Sequence, residues 1–298
     1  MAGRNHSRVT EFVLLGFPDK QELLFVLFSL IYLTTLVGNL GMIVLIKTNP
    51  QFHVPMYFFL SHLSFLDICC SSSVAPTLLR GLLVERNLIS FDSCMVQFFF
   101  YALLGTTEAL LLAVMAYDRY VAIRAPLHYL FAMSRGVCVR LVAGSYAAGS
   151  LNAAVHTTSL LLLSFCGPNL VDHFSCEIPA LLLLSCSDTR PVKVLLAVCV
   201  GCITAASVSA VVASYTCILK TTWRIPSGRY KAFSTCSSHL TAVALFYGSA
   251  AFLYFLPVSG QAADRGKIAS VFYTMVTPML NPVIYSLRNK EVRISLRR

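Results

Sequence analysis

The stretch that decides the fold is Met115-Ala-Tyr-Asp-Arg-Tyr-Val-Ala-Ile123. A long apolar run precedes it, and the Arg- and Pro-bearing segment Arg124-Ala125-Pro126 follows it. Asp118 and Arg119 therefore stand side by side where a hydrophobic helix meets water. A charge costs several kcal/mol at a bilayer centre and much less at its edge. The pair marks the boundary of a membrane helix, with Arg119 placed to meet a partner in the water.

The composition agrees. Of 298 residues, 57% are hydrophobic and 12% charged, with mean hydropathy +0.73. A soluble domain carries roughly 25% charged residues, so this chain is expected to be an all-α membrane protein embedded in the lipid bilayer. A helix needs about 20 apolar residues to span the hydrocarbon. Seven stretches qualify, near 23–46, 55–79, 93–117, 137–163, 192–219, 232–256 and 268–287, within one domain covering 1–298. Polar interruptions make the second, third and sixth the weakest by hydropathy. The first 21 residues are polar and mixed, so they predict an extracellular tail and no cleavable signal. No internal repeat is visible, which argues against a transporter built from two related halves.

Basic residues set the orientation. With the N-terminus outside, the cytoplasmic face holds Lys47, Arg119, Arg124, Arg135, Arg140, Lys220, Arg224, Arg229, Lys231, Arg288, Lys290, Arg293, Arg297 and Arg298, against the acids Asp118 and Glu291. Residues 288–298 then form a cytoplasmic tail. The net charge of +10 is a feature of topology, and nucleic acid is not the expected partner. The sequon Asn5-His6-Ser7 falls in the outer tail, where Asn5 can be glycosylated.

Four of the 11 cysteines fall outside: Cys94, Cys166, Cys176 and Cys186. Two disulfides with three possible connectivities follow. One bridge is expected to tie the long outer loop to the top of the third helix. Because Cys176 is the middle loop cysteine, Cys94–Cys176 with Cys166–Cys186 is preferred, and Cys94–Cys186 is the main alternative.

Two acids fall inside the membrane. Asp67 lies about 18 Å along the second helix from Pro55, and Glu108 about 16 Å before Arg119 on the third. Intramembrane acids face the bundle interior. Two close carboxylates share a proton or bind a cation. With Asn39 and Asn281 nearby, the readings are a structural Na⁺ at Asp67 and Glu108, or a protonated, hydrogen-bonded pair. No other cofactor is implied. Two acids are too few for a channel's conducting path, and no metal-spaced cluster or phosphate-cradling Gly loop suggests an enzyme.

These motifs resemble one family, the vertebrate odorant (olfactory) receptors within the rhodopsin-like (class A) G-protein-coupled receptors. The resemblance rests on Gly38-Asn39, Pro55-Met-Tyr-Phe-Phe-Leu60, Leu63-Ser-Phe-Leu-Asp67, Met115–Ile123 and Pro126-Leu-His-Tyr129. It continues through Phe165-Cys-Gly-Pro-Asn169, His173-Phe-Ser-Cys176, Leu184-Ser-Cys-Ser-Asp188 and Ser214-Tyr215. It ends with Lys231-Ala-Phe-Ser-Thr-Cys-Ser-Ser-His-Leu240 and Pro278-Met-Leu-Asn-Pro-Val-Ile-Tyr285-Ser-Leu-Arg-Asn-Lys290. It departs from the family at Arg124-Ala125, where Cys usually follows Ile123, and in a segment 224–231 that is two residues short.

The resemblance implies a plasma-membrane receptor for small volatile odorants. It also implies coupling to a heterotrimeric G protein with an olfactory, stimulatory α subunit that raises cAMP. Asp118, Arg119 and Tyr120 form the coupling switch, with Arg119 released to bind the C-terminal helix of the α subunit. The base of the sixth helix is basic, at Arg229 and Lys231, so Asp118 is expected to do most of the holding. Asn281-Pro282-Val-Ile-Tyr285 supplies a mobile kink: Asn281 satisfies the carbonyl freed by Pro282 or a water, and Tyr285 swings toward Tyr215 and Arg119.

By position, the ligand contacts Tyr101, Ala102, Gly105 and Thr106 on one face of the third helix. Cys199 and Ile203 join from the fifth, Tyr247, Ala251 and Tyr254 from the sixth, and Thr274 from the seventh. This lining suits a largely hydrophobic molecule held by burial and one or two hydrogen bonds. Tyr247 is expected to sense it, and His156 to be a hydrogen-bonded core residue, with a ligand contact as the alternative.

Overall fold

The computed structural model describes residues 9–166, 168–223, 226–255, 261–288 and 292. Seven long helices form a bundle. They are α1 (Gln21–Thr48), α2 (Pro55–Gly81), α3 (Phe91–Arg124), α4 (Arg135–Leu161), α5 (Arg190–Thr222), α6 (Pro226–Phe255) and α7. The last runs as Gln261–Val271, a π turn at Phe272–Val276, and Thr277–Arg288. Local chemistry sets several starts. α2 opens on Pro55, whose missing N–H is not needed in a first turn. α3 is capped by Ser90, whose Oγ accepts from the Ser93 N–H at 3.2 Å.

The helices overrun the apolar stretches. α3 continues to Arg124, so Asp118 and Arg119 lie inside a helix and not at its end. α6 begins at Pro226 and α7 at Gln261, ahead of the expected 232 and 268. Hydropathy marks where the bilayer stops; hydrogen bonding lets the helix go on. Among the described residues, α1, α2, α3, α5 and the Gly266–Ser286 part of α7 are long and apolar enough to cross a membrane. The second span is among the less apolar of these, with mean hydropathy 1.4 against 2.1 for α1 and 2.4 for α5, and the third reaches 1.8. α4, which carries Ser145, Asn152, His156 and Thr157, was not expected to be weak and is not among these spans.

The polar composition of α4 reflects how closely it packs. Apolar burial does not drive helices together in lipid, so small residues that let backbones approach carry the contact. A Cβ on Gly149 would lie 2.8 Å from the Leu103 backbone oxygen and would overlap the Thr107 hydroxyl. Gly149→Ala is therefore expected to push α4 off α3 and destabilise the receptor by about 1–3 kcal/mol. Thermal unfolding of the purified protein checks this; an unchanged midpoint would refute it. Apolar side chains on the outer faces, such as Val37 on α1 and Val194 on α5, are exposed, as lipid-facing positions are.

One part of the fold is not helical. Glu11–Leu14 (β1) pairs antiparallel with Asn87–Ser90 (β2) and parallel with Leu170–Val171 (β3), in the order β2-β1-β3. The sequence reading left residues 1–21 as an irregular tail. A four-residue strand is too short for its alternation to stand out, and its partners are distant in sequence. Phe12 on β1 is fully buried and packs on Phe91 and Phe165, with ring centroids 6.0 and 5.6 Å away.

Candidate functional site

At the end of the bundle opposite this sheet, a cavity of about 170 Å³ is lined by Val54, Met56, Asp118, Arg119, Ala122, Ile123, Tyr129 and Cys236. Asp118 and Arg119 are both buried. Arg119 interacts electrostatically with Asp118 as expected, and Asp118 has a second anchor that the sequence reading did not foresee. Neighbours on a helix point about 100° apart. The Asp118 carboxylate also accepts a hydrogen bond from the Tyr129 hydroxyl at 2.9 Å, from the short helix Tyr129–Ala132. Burial, with the Asp118 carboxylate beside it, pushes the Tyr129 phenol far above its ordinary range, so Tyr129 remains the donor. Tyr129→Phe removes this bond without changing any charge. A two- to tenfold rise in ligand-independent output at equal surface expression is expected, on the order of 1 kcal/mol; equal output would refute the tether.

Tyr120 is held by Arg124. The Arg124 guanidinium donates to the Tyr120 hydroxyl at 2.8 Å and lies 5.7 Å from its ring centre. The residue that breaks the family pattern thus braces a member of the switch motif. Arg229 and Lys231 have side chains outside the described residues, as does Arg224 entirely.

Above the cavity stands a residue to which the sequence reading assigned no role. His239 on α6 is fully buried. Its Nε2 lies 3.0 Å from the Leu112 carbonyl of α3, and its Nδ1 lies 2.8 Å from the Tyr215 hydroxyl of α5. A carbonyl only accepts, so Nε2 carries the proton and Tyr215 donates to Nδ1. One neutral imidazole thus ties three helices together. A histidine inside a membrane span was the available signal. Tyr285 on α7 is buried, and its hydroxyl has no partner among the described residues.

Farther up, the proline kink resolves differently from expectation. Pro282 cannot donate to the Pro278 carbonyl. Asn39 of α1 supplies the missing donor: its Nδ2 bonds the Pro278 carbonyl at 3.0 Å, and the Thr35 carbonyl at 3.0 Å. Gly38 leaves room for this, because a Cβ there would lie 3.3 Å from Pro282. Asn281 is thereby freed for Asp67, donating to both carboxylate oxygens at 3.1 Å. Asp67 and Glu108 are both buried, and the Oδ1 atoms of Asn39 and Asn281 are buried without partners among the described residues. Carboxylate and amide oxygens are the donors a hard cation prefers, so this donor set fits Na⁺. Among the described residues no group of three or more His, Cys, Asp or Glu forms another metal site.

The expected ligand-contacting residues divide. Tyr101 packs edge-on against Tyr273 of the π turn, with ring centroids 5.8 Å apart, and the Tyr273 hydroxyl fills the space where Gly105 lacks a Cβ. Thr106 accepts from Asn152 of α4 at 3.0 Å, and Ala102 packs against the apolar cluster that includes Phe98 and Leu160. Tyr101 and Gly105 thus meet α7, while Thr106 meets α4. The four do not share one neighbour, because i and i+1 diverge around a helix. Tyr247 donates to the Ala109 carbonyl at 3.3 Å. Ile203 packs on the core, Cys199 is half-buried, and the Thr274 hydroxyl is used within α7 on Ser270. Ala251 is exposed, and the Tyr254 side chain lies outside the described residues. His156 is only 1% exposed, yet neither ring nitrogen has a hydrogen-bond partner among the described residues. That corrects the expected hydrogen-bonded core histidine. An unmet buried polar group costs about 1–3 kcal/mol.

Over the mouth lies the long loop between α4 and α5. Cys94 is bonded to Cys176 and Cys166 to Cys186, with Cα separations of 5.5 and 5.9 Å; the alternative Cys94–Cys186 pairing is not formed. The Gln97 Oε1 accepts from the Cys176 N–H at 3.0 Å, and its Nε2 donates to the Ser73 carbonyl at 2.9 Å. Lys267 on α7 pairs with Asp172 at 2.6 Å, and Ser270 donates to Glu177 at 3.1 Å. Neither of these contacts between loop and α7 was foreseen. Asn5 lies outside the described residues.

A seven-helix bundle with a buried Arg at one end and a disulfide-pinned loop at the other has the architecture of a rhodopsin-like receptor. The crystal structure of squid rhodopsin superposes with a TM-score of 0.73 at 15% identity, covering 94% of this chain and 81% of that one. A family model described as "Olfactory receptor" matches residues 28–298. Mouse olfactory receptor 5P60 is 52% identical, covering 99% of this chain and 93% of its own. Mouse olfactory receptor 5G9 is 50% identical over 100% of this chain and 96% of its own, and human olfactory receptor 5AR1 48% over 100% and 98%. The chain belongs to the olfactory receptor family. It is a multi-pass plasma-membrane receptor and not an enzyme.

Proposed function

We propose that this receptor binds a small, mostly hydrophobic volatile molecule within its bundle. Ligand binding then activates a stimulatory, olfactory-type heterotrimeric G protein and raises cAMP. The observation that carries the reading is the Arg119 cavity under the His239 tether. At about 170 Å³ it cannot admit a helix of about 10 Å diameter. The structure thus suits a resting state in which opening α6 would expose Arg119. The distribution of basic residues supports an N-terminus outside and a C-terminus in the cytoplasm, with Asn5 on the glycosylated side. The test is an odorant panel read by cAMP in cells with and without the stimulatory α subunit. Odorant-evoked cAMP that vanishes with the subunit supports the reading; odorant-evoked current that persists without any G protein would show a channel instead.

We further propose that Na⁺ binds at Asp67 and Glu108, using the unpartnered oxygens of Asn39 and Asn281, and stabilises the resting state. Exchanging NaCl for choline chloride is expected to lower the thermal midpoint of the purified receptor. Asp67→Asn should abolish the difference. A midpoint indifferent to Na⁺ favours the protonated pair.

A further inference from the structure

We propose that His156 is the polar anchor of a ligand subsite on the α3–α4 seam, and that the subsite takes the oxygen of a small alcohol or ketone. The proposal rests on the odorant-receptor reading above and extends the binding site to α4. His156 is buried, and both its ring nitrogens lack partners among the described residues. The Thr157 hydroxyl, next in the chain, also lacks a partner among the described residues, but it lies about 100° away around the helix, and two other polar groups of α4 are already engaged. Asn152, one turn below on the same face, donates to Thr106 on α3. The Ser159 hydroxyl bonds the backbone carbonyl of His156 itself, at 2.7 Å. Leu160, one turn above, belongs to an apolar cluster with Phe98 and Ala102.

A buried water needs two to four polar partners, and this seam has few left to offer. A guest with its own apolar body suits it better: the chain packs against Leu160, Phe98 and Ala102 while the oxygen meets the imidazole. A neutral imidazole presents one N–H and one bare nitrogen. The bare nitrogen accepts from an alcohol, and the N–H donates to a ketone. A hydrocarbon of the same length satisfies neither, and leaving buried polar groups unmet is what makes such a site discriminate.

The test uses the purified full chain in lipid nanodiscs, with 1-octanol, 2-octanone and n-octane as probes and the thermal midpoint as readout. In the unaltered receptor the alcohol and the ketone are expected to act at concentrations about tenfold or more below that of the alkane. His156→Phe keeps a ring of similar size and should bring the three probes together. His156→Gln, which restores a donor and an acceptor, should recover part of the preference and covers the case in which His156→Phe fails to fold. The proposal is overturned if octane matches octanol, if His156→Phe keeps the preference, or if no probe shifts the unaltered receptor. The cAMP panel separates the two ideas. Odorant responses with an unchanged oxygen preference in His156→Phe sink the subsite alone, whereas panel-wide silence sinks the receptor reading and leaves the midpoint shifts to judge the subsite.

Discussion

His239→Phe is expected to raise ligand-independent cAMP about tenfold at equal surface expression. The substitution removes the bond from α6 to the Leu112 carbonyl and the bond to the Tyr215 hydroxyl together. Buried hydrogen bonds contribute about 0.5–1.5 kcal/mol each, and about 1.4 kcal/mol is tenfold in a two-state population. The loss falls mainly on the resting state, because these bonds hold α6 against α3 and α5. Freed of His239, Tyr215 is also available to Tyr285, whose hydroxyl has no partner among the described residues. Basal output at or below that of the unaltered receptor, with normal expression, would show that His239 is needed for the active state instead.

The largest stability effect is expected at the lid. The Cys94–Cys176 bond spans 82 residues and Cys166–Cys186 spans 20. The chain-entropy relation gives about 4.5 kcal/mol for the first and about 3.3 for the second. These are ceilings, since helices that stay inserted shorten the effective loop. Cys94→Ser also loosens the Cys176 backbone from Gln97, which joins the lid to α2 and α3. Cys94→Ser should therefore nearly abolish surface expression, while Cys166→Ser reduces it less. Flow cytometry of a surface tag decides the order, and an equal or reversed ranking would count against the loop-length argument.

The seven-helix bundle was legible because spans of apolar residues and the placement of Arg and Lys depend on the bilayer alone. The polar partners were legible as residue types but not as pairs. Asp67 and Asn281 were expected to be neighbours, yet nothing local shows that Asn39 takes the Pro278 carbonyl and so releases Asn281. Asp118 was read by its adjacency to Arg119, and nothing local shows that it also accepts a hydrogen bond from Tyr129, eleven residues on. Tyr273 escaped notice because its reach to Gly105 depends on the π turn, which has no simple sequence signal. His156 was assigned to the core by the usual habit of buried histidines, and only the absence of partners sets it apart.

The outer sheet also bears on the order in which the chain is assembled. β1 emerges from the ribosome before either of its partners, and it must wait for β2 and then for β3. The sheet can close only after the loop beyond α4 has been synthesised. A chain that stalls earlier leaves an edge of β1 unpaired and Phe12 without Phe165 to cover it. The cell's folding machinery thus has an accessible mark by which to distinguish an unfinished receptor from a finished one.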